Sequence, residues 1–161
     1  EMPPVTDVVT VPWARDERSA VTGLKTTSYA ENVVALAAAH RAGASEALLC
    51  NTAGLLCEGT GSNVFVVHRG AILTPTLASG CLAGITRELV LEWVPEAREV
   101  DLGPTALTAA DEVFLTSSTR DVQAVARVDA DPVGGGRHQA PGPVTRHVAE
   151  VFARRSADVD P

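Results

Sequence analysis

"EALLCNTAGLLCEGTGSNVFVVHRGAILTP", residues 46–75, decides the fold class. Its apolar runs EALLCN, LLCE, NVFVVH and AILTP are short. They are separated by turns at Thr52-Ala53-Gly54, at the glycines after Glu58 and at Arg69-Gly70. That rhythm predicts an antiparallel sheet of hairpins. One residue breaks the pattern. Glu58 stands at the neck of LLCEGTGSNVFVV, residues 55–67, between an apolar run and a glycine turn. A solvated turn residue and a ligand contact are both open readings.

Outward from this block, VVTVPW (residues 8–13) reads as a strand and SYAENVVALAAAHRAG (28–43) as a helix. Ser28 with Glu31 three residues on makes a capping box, and Gly43 sits where a C-terminal glycine cap belongs. Val33, Leu36 and Ala37 recur at helical spacing and predict the buried face. GITRELVLEWV (84–94) is a second helix, stopped by Pro95. EVFLT (112–116) and VQAVARVD (122–129) read as strands, and VTRHVAEVFARRSA (144–157) closes the chain as an amphipathic helix. The Gly/Pro-rich segment 130–143 predicts a mobile loop. Helices and short hairpins mix without a βαβ rhythm, so the class is α+β.

The totals narrow the function. The 161 residues suffice for one domain with a sizeable core. A net charge of −7 argues against nucleic acid, whose phosphates want a positive surface. No apolar run is long enough to span a membrane. Cys50, Cys57 and Cys81 are odd in number and form no CxxC pair, and the four histidines are scattered. Reduced thiols in a cytoplasmic setting are expected, and no metal site. The start, EMPPVTDVVT, does not begin with Met and has no leader-like pattern, and reads as the edge of a fragment.

Four places carry chemistry. Lys25, just before the first helix, reads alone as an exposed lysine; desolvated, it would be an amine of lowered pKa that forms Schiff bases. Glu58 is the acid already noted. LAGITRELV leads small residues into a helix whose first amides, with the Thr86 hydroxyl, suit an anion, although ordinary capping also explains it. LTSSTRD puts hydroxyls from Thr116 to Thr119 at a strand end, where a Ser/Thr turn competes with a phosphate cup. An amine, an acid and two anion-donor sites together match what pyridoxal phosphate requires.

Four segments, GLKTTSYAENV, EALLCNTAGLLCEGTGSNVFVVHRGAILTP, GCLAGITRELVLEW and ADEVFLTSSTRDVQAV, resemble in order and spacing the class IV (fold type IV) pyridoxal-phosphate aminotransferases and lyases. The resemblance runs from about residue 8 to 128 and returns in PGPVTRHVAEVF. It implies a barrel-like sheet of short antiparallel and mixed strands flanked by helices. It also implies pyridoxal 5'-phosphate as cofactor, a small amino substrate and a homodimer.

By resemblance, Lys25 carries the cofactor covalently and shuttles the substrate α-proton, and Glu58 pairs with the pyridine nitrogen. Leu82 and the Gly61–Ser62 backbone pack on the ring faces. Ile85 and Thr86 supply donors to the phosphate, joined by Ser118, and Thr119 lies near the substrate carboxylate. Tyr29 approaches the cofactor's phenolic oxygen, although the branched-chain transaminase pattern sets its tyrosine one residue further from the lysine.

The segments 1–161 then form the cofactor-binding larger domain, with residues 1–24 as entry strand and interdomain segment. The family's N-terminal small domain, which brings an arginine to the phosphate, is expected to be missing. Within the family, the same segments look most like 4-amino-4-deoxychorismate lyases of high-GC actinobacteria. An aminotransferase for branched-chain or D-amino acids using 2-oxoglutarate is the alternative, and an inactive cofactor-domain fragment a third reading.

Overall fold

The computed structural model describes residues 4–129 and 136–159. Its strands are β1 (Val5–Arg15), β2 (Glu46–Asn51), β3 (Leu56–Gly59), β4 (Asn63–His68), β5 (Ala71–Thr74), β6 (Ala97–Glu99), β7 (Glu112–Ser117), β8 (Asp121–Val128) and β9 (Gly136–Arg137). Its helices are α1 (Ala30–Arg41), α2 (Ile85–Trp93), α3 (Thr105–Thr108) and α4 (Pro143–Val159). The strands form one nine-stranded sheet in the order β3-β2-β1-β8-β7-β4-β5-β6, with β9 on β8.

The sheet is mixed. β1 runs parallel to both β2 and β8, and β5 parallel to β6, while the other pairs are antiparallel. The hairpin expected over residues 55–67 is not one. β3 pairs with β2 and β4 with β7, so the strands on either side of Glu58 and its glycines part company. Gly59 N still donates to Ser62 O at 2.8 Å, which closes the turn. The sheet curls so that β3 and β4, far apart in strand order, meet at this turn. It leaves a half-barrel whose mouth holds residues 58–62.

Residues on β4 alternate between two cores, which explains why NVFVV is apolar throughout. Val64 and Val66 join Val8, Leu48, Leu56, Val113, Leu115 and Val125 inside the curl, plugged by Leu102 and by Leu107 of α3. Phe65 and Val67 face outward, where Val90 near the end of α2 and Val148, Val151 and Phe152 of α4 cover them. The Phe65 and Phe114 rings stack at 4.8 Å between centroids. The strand β6 and the helix α3 were not foreseen; both are too short to carry a periodic signal.

α1 corrects two expectations. Its N-cap is Tyr29, with no side-chain cap hydrogen bond, so the Ser28/Glu31 capping box does not form. Glu31 turns instead toward Arg15, at 3.4 Å. The buried face is Ala35 and Ala39, packed on Val9, Ala44 and Ala47, whereas Val33 is 63% exposed. Small residues win because α1 lies close against β1 and β2. The C-terminal glycine is as read: Gly43 (φ +76°) donates to His40 O and Ala44 to Ala39 O, a Schellman closure. Of the expected mobile loop, residues 130–135 lie outside the described residues; 136–137 form β9, and α4 begins at Pro143.

Candidate active site

Glu58 is the penultimate residue of β3, with its carboxylate turned inward, 13% exposed. Its Oε2 accepts the Leu82 amide at 2.9 Å, and its Oε1 lies 3.2 Å from Arg15 Nε. Burial pushes the Glu58 carboxyl above the ordinary carboxylate value. The Leu82 N–H and the Arg15 guanidinium pull it back, and the buried charge of Glu46 adds a further upward push. Arg15 was not among the residues singled out from sequence. It ends β1, and its Nη2 donates to Asn32 Oδ1 of α1 at 2.8 Å.

Leu82 is fixed by its backbone. Its N–H serves Glu58, and its carbonyl accepts Asn63 Nδ2 at 2.8 Å and Gly84 N at 2.9 Å. Those bonds set the approach to α2, whose N-cap is Gly84 and whose first residues are Ile85 and Thr86. Thr86 is 4% exposed and Ile85 68% exposed, so the two face opposite ways at the same helix start.

Across from them, Lys25 lies in the segment between β1 and α1, and its Nζ donates to the Tyr29 hydroxyl at 2.9 Å. Lys25 is exposed. The desolvated amine considered from sequence is therefore not found, because nothing in the described chain covers it. At the end of β7, Ser117 Oγ and Thr119 Oγ1 are 3.3 Å apart, and Ser118 and Thr119 are exposed. Thr116, just before them, is buried with a hydroxyl that finds no partner.

These pieces share one cleft of about 860 Å3. All ten residues read from sequence line it: Lys25, Tyr29, Glu58, Gly61, Ser62, Leu82, Ile85, Thr86, Ser118 and Thr119. So do Arg15, Asn32 and Thr116. A Cβ at Gly61 would meet only Glu46, at 3.9 Å, so that glycine faces open space rather than protein. Missed from sequence, besides Arg15, were Asn32, Glu46 and Arg120. Their signal was weak: a charged residue opening a strand, and an arginine closing a hairpin turn. No metal-holding cluster of His, Cys, Asp and Glu occurs among the described residues. None of the described helices is long and apolar enough to cross a membrane.

The cleft suits a flat, anionic, ring-bearing group. It offers an amine at one corner and a buried acid fixed at two points at another. The first amides of α2, which no side chain caps, and the orphaned Thr116 hydroxyl provide donors for an anion. An acid whose charged form burial disfavours is also one that a cationic ring nitrogen would settle.

Comparison with known proteins converges on the same architecture. The family model "Amino-transferase class IV" matches residues 1–128. A probable branched-chain-amino-acid aminotransferase of Aquifex aeolicus is 34% identical over 130 residues, covering 78% of this chain and 41% of its own. The branched-chain-amino-acid aminotransferase of Escherichia coli K12 is 33% identical over 129 residues, with the same coverage. Among solved structures, the branched-chain aminotransferase of Thermobaculum terrenum in its PLP form superposes with a TM-score of 0.88 at 30% identity, over 97% of this chain and 52% of that one. A Legionella pneumophila protein provisionally assigned as a 4-amino-4-deoxychorismate lyase gives 0.85 at 25% identity, over 92% and 55%. The chain thus spans about two fifths of the length of the curated relatives it matches.

Proposed function

Because this chain belongs to the class IV aminotransferase family, whose cofactor is pyridoxal 5'-phosphate, we propose that its cleft holds that cofactor through Lys25 and acts on the amino group of a small substrate. The observation that carries the reading is the convergence of Lys25, Glu58, Thr86 and Ser118 on one cleft from four separate stretches of chain. When bound, the cofactor supplies an electron sink for charge developing at the substrate α-carbon.

The protein supplies the rest. Lys25 anchors the cofactor, and its amine, once free, takes and returns the α-proton. Tyr29 holds that amine by its hydroxyl. Glu58, braced by Arg15 and the Leu82 amide, would hold the ring nitrogen and, as a carboxylate, favour its protonated form. Ile85, Thr86 and Ser118 bind the phosphate, and Leu82 with Gly61 and Ser62 bounds the ring. Thr119 orients the substrate carboxylate.

For the reaction itself, we favour release of pyruvate from 4-amino-4-deoxychorismate, leaving 4-aminobenzoate. The Lys25-x-x-x-Tyr29 spacing and the likeness to the Legionella protein support it. The curated relatives named branched-chain aminotransferase support the second reading, amino transfer to 2-oxoglutarate. In both, residues 1–161 act as one cofactor-binding unit within a cytoplasmic homodimer.

Two assays separate the readings. Pyruvate formed from aminodeoxychorismate without a keto-acid acceptor selects the lyase; glutamate formed only with a branched-chain amino acid and 2-oxoglutarate selects the transaminase. A protein that takes up pyridoxal phosphate and catalyses neither reaction matches the third reading, an inactive cofactor-domain piece.

A further inference from the structure

Beneath the cleft lies a carboxylate with no role in the scheme above. Glu46 opens β2 and is completely buried. Its Oε1 accepts the Thr60 amide at 2.9 Å and also the Thr60 hydroxyl. Its Oε2 accepts Ser62 Oγ at 3.3 Å and forms an ion pair with Arg120 Nη2 at 2.8 Å. Arg120, 15% exposed, belongs to the turn between β7 and β8 that carries Ser118 and Thr119. In the sheet, β1 separates β2 from β8, so this pair reaches across the curl rather than between neighbouring strands.

The contacts continue to Glu58. Thr60 O accepts Asn32 Nδ2 at 2.6 Å, Asn32 Oδ1 accepts Arg15 at 2.8 Å, and Arg15 meets Glu58. One polar chain therefore links the acid at the ring-nitrogen corner, the 60–62 turn and the 117–120 turn. Two adjacent loops emerge at this end of the sheet, since Asn63 of β4 and Thr116 of β7 are ladder partners. Backbone bonds tie each turn on its own side, Gly59 N to Ser62 O, Thr60 N to Ala47 O and Arg120 N to Ser117 O, and the buried Glu46–Arg120 pair joins one turn to the other.

We propose that Glu46 and Arg120 are positioning residues: their buried ion pair fixes the 60–62 turn against the 117–120 turn and so sets the width of the cofactor cleft. The proposal rests on the cofactor reading of that cleft. A pair that only stabilised the fold would not be expected to hold both cleft turns through direct bonds. Glu46 bonds Thr60 and Ser62, which line the cleft, on one side and Arg120 on the other, while neither Glu46 nor Arg120 lines the cleft itself.

The test uses Arg120→Ala, Arg120→Lys and Glu46→Gln, with folding checked by circular dichroism. The first readout needs no cofactor. Hydrogen exchange of the apo protein should rise at the amides of 60–62 in Arg120→Ala, with the β4–β7 ladder unchanged. The second is the dissociation constant for pyridoxal 5'-phosphate, titrated by absorbance well below each variant's Tm. We expect Arg120→Ala and Glu46→Gln to weaken binding roughly 10-fold, the size typical of coupling within one hydrogen-bond network, and Arg120→Lys to recover most of it.

Unchanged exchange at 60–62, or wild-type affinity in folded Arg120→Ala, would overturn the positioning role. If Arg120→Ala does not fold, the comparison of Arg120→Lys with Glu46→Gln decides by the same readouts. A wild-type protein that takes up no pyridoxal phosphate would strike at the cofactor reading first, and remove the cleft-setting role with it.

Discussion

Lys25 Nζ and the Tyr29 hydroxyl lie 2.9 Å apart, four residues from each other on the approach to α1. The amine is thus oriented by the phenol and not by burial. Lys25→Ala should abolish covalent attachment: the protein incubated with pyridoxal phosphate and borohydride should gain no reduced adduct by mass. Tyr29→Phe removes one hydrogen bond to a charged group and should still attach the cofactor. Its rate should fall roughly 10- to 150-fold, for a bond of this kind worth roughly 1.5–3 kcal/mol.

Glu58→Gln should separate binding from chemistry. The amide keeps an acceptor for the Leu82 N–H but loses the charge that favours a protonated ring. Cofactor affinity should change little, while kcat falls by roughly 100-fold or more, the usual scale for a lost proton-transfer aid. An equal loss in the two quantities would place Glu58 in binding alone.

The same acid sets a pH dependence in the protein without cofactor. Burial, the largest influence, raises the Glu58 pKa. A raised folded-state value means that its contribution to stability is fully present below the unfolded value of 4.5 and is lost as pH rises through the folded value. Glu58→Gln has no such loss. The Tm difference, variant minus wild type, should therefore grow as pH rises from 4.5 and level off above the folded pKa. A difference that shrinks over that range would show that Arg15 and Leu82 outweigh burial.

Much of this site was legible in the chain because its residues sit at element ends that carry their own signals. Gly84 with Ile85 and Thr86 marks a helix start, and Ser117 to Thr119 follows a strand end. The strand runs 63–68 and 112–116 carry β-branched and aromatic residues between turns, and 46–51 is a short apolar run before a turn. What failed was anything decided by distant partners. The β3–β4 turn looks like a hairpin locally, and only pairing with β2 and β7 pulls its strands apart. The α1 face was misread because Val33 is more apolar than Ala35, yet close packing on β1 and β2 admits only the smaller residue. Glu46, Asn32 and Arg120 gave no motif because the partners that tie them to the cleft turns lie 14 or more residues away.

Thiol chemistry should report the core. Burial pushes the Cys57 thiol up to about 12 from 9.0, which cuts its thiolate fraction at pH 8 about 1000-fold. Cys81 is also buried and raised, whereas Cys50 is only half-buried. An aromatic disulfide reagent at pH 8 should label Cys50 first, slowly, and reach Cys57 and Cys81 only with denaturant. Fast labelling of Cys57 in the native protein would mean that β3 opens readily, and with it the strand that holds Glu58.

Helix α4 is held to the sheet at its N-terminus by an acid from β7. Glu112 of β7 is 4% exposed, and its two oxygens accept the amides of Val144 at 3.0 Å and Thr145 at 2.7 Å. It serves as the N-cap of α4 from another element, with Pro143 at the first helical position, where its missing N–H costs nothing. Gly142 permits this approach, since a Cβ there would strike the Glu112 carboxylate. Glu112→Ala should cost about 1–2 kcal/mol. For a domain of this size that lowers the Tm by roughly 2–8 °C. Glu112→Gln should recover part of the loss, because one oxygen still accepts an amide. Gly142→Ala should destabilise comparably by pushing the same carboxylate aside. Because α4 covers Phe65 and Phe114 on the outer face, away from the cleft, cofactor affinity of the folded variants should match wild type. A Tm loss accompanied by weaker cofactor binding would show that the outer core reaches the site.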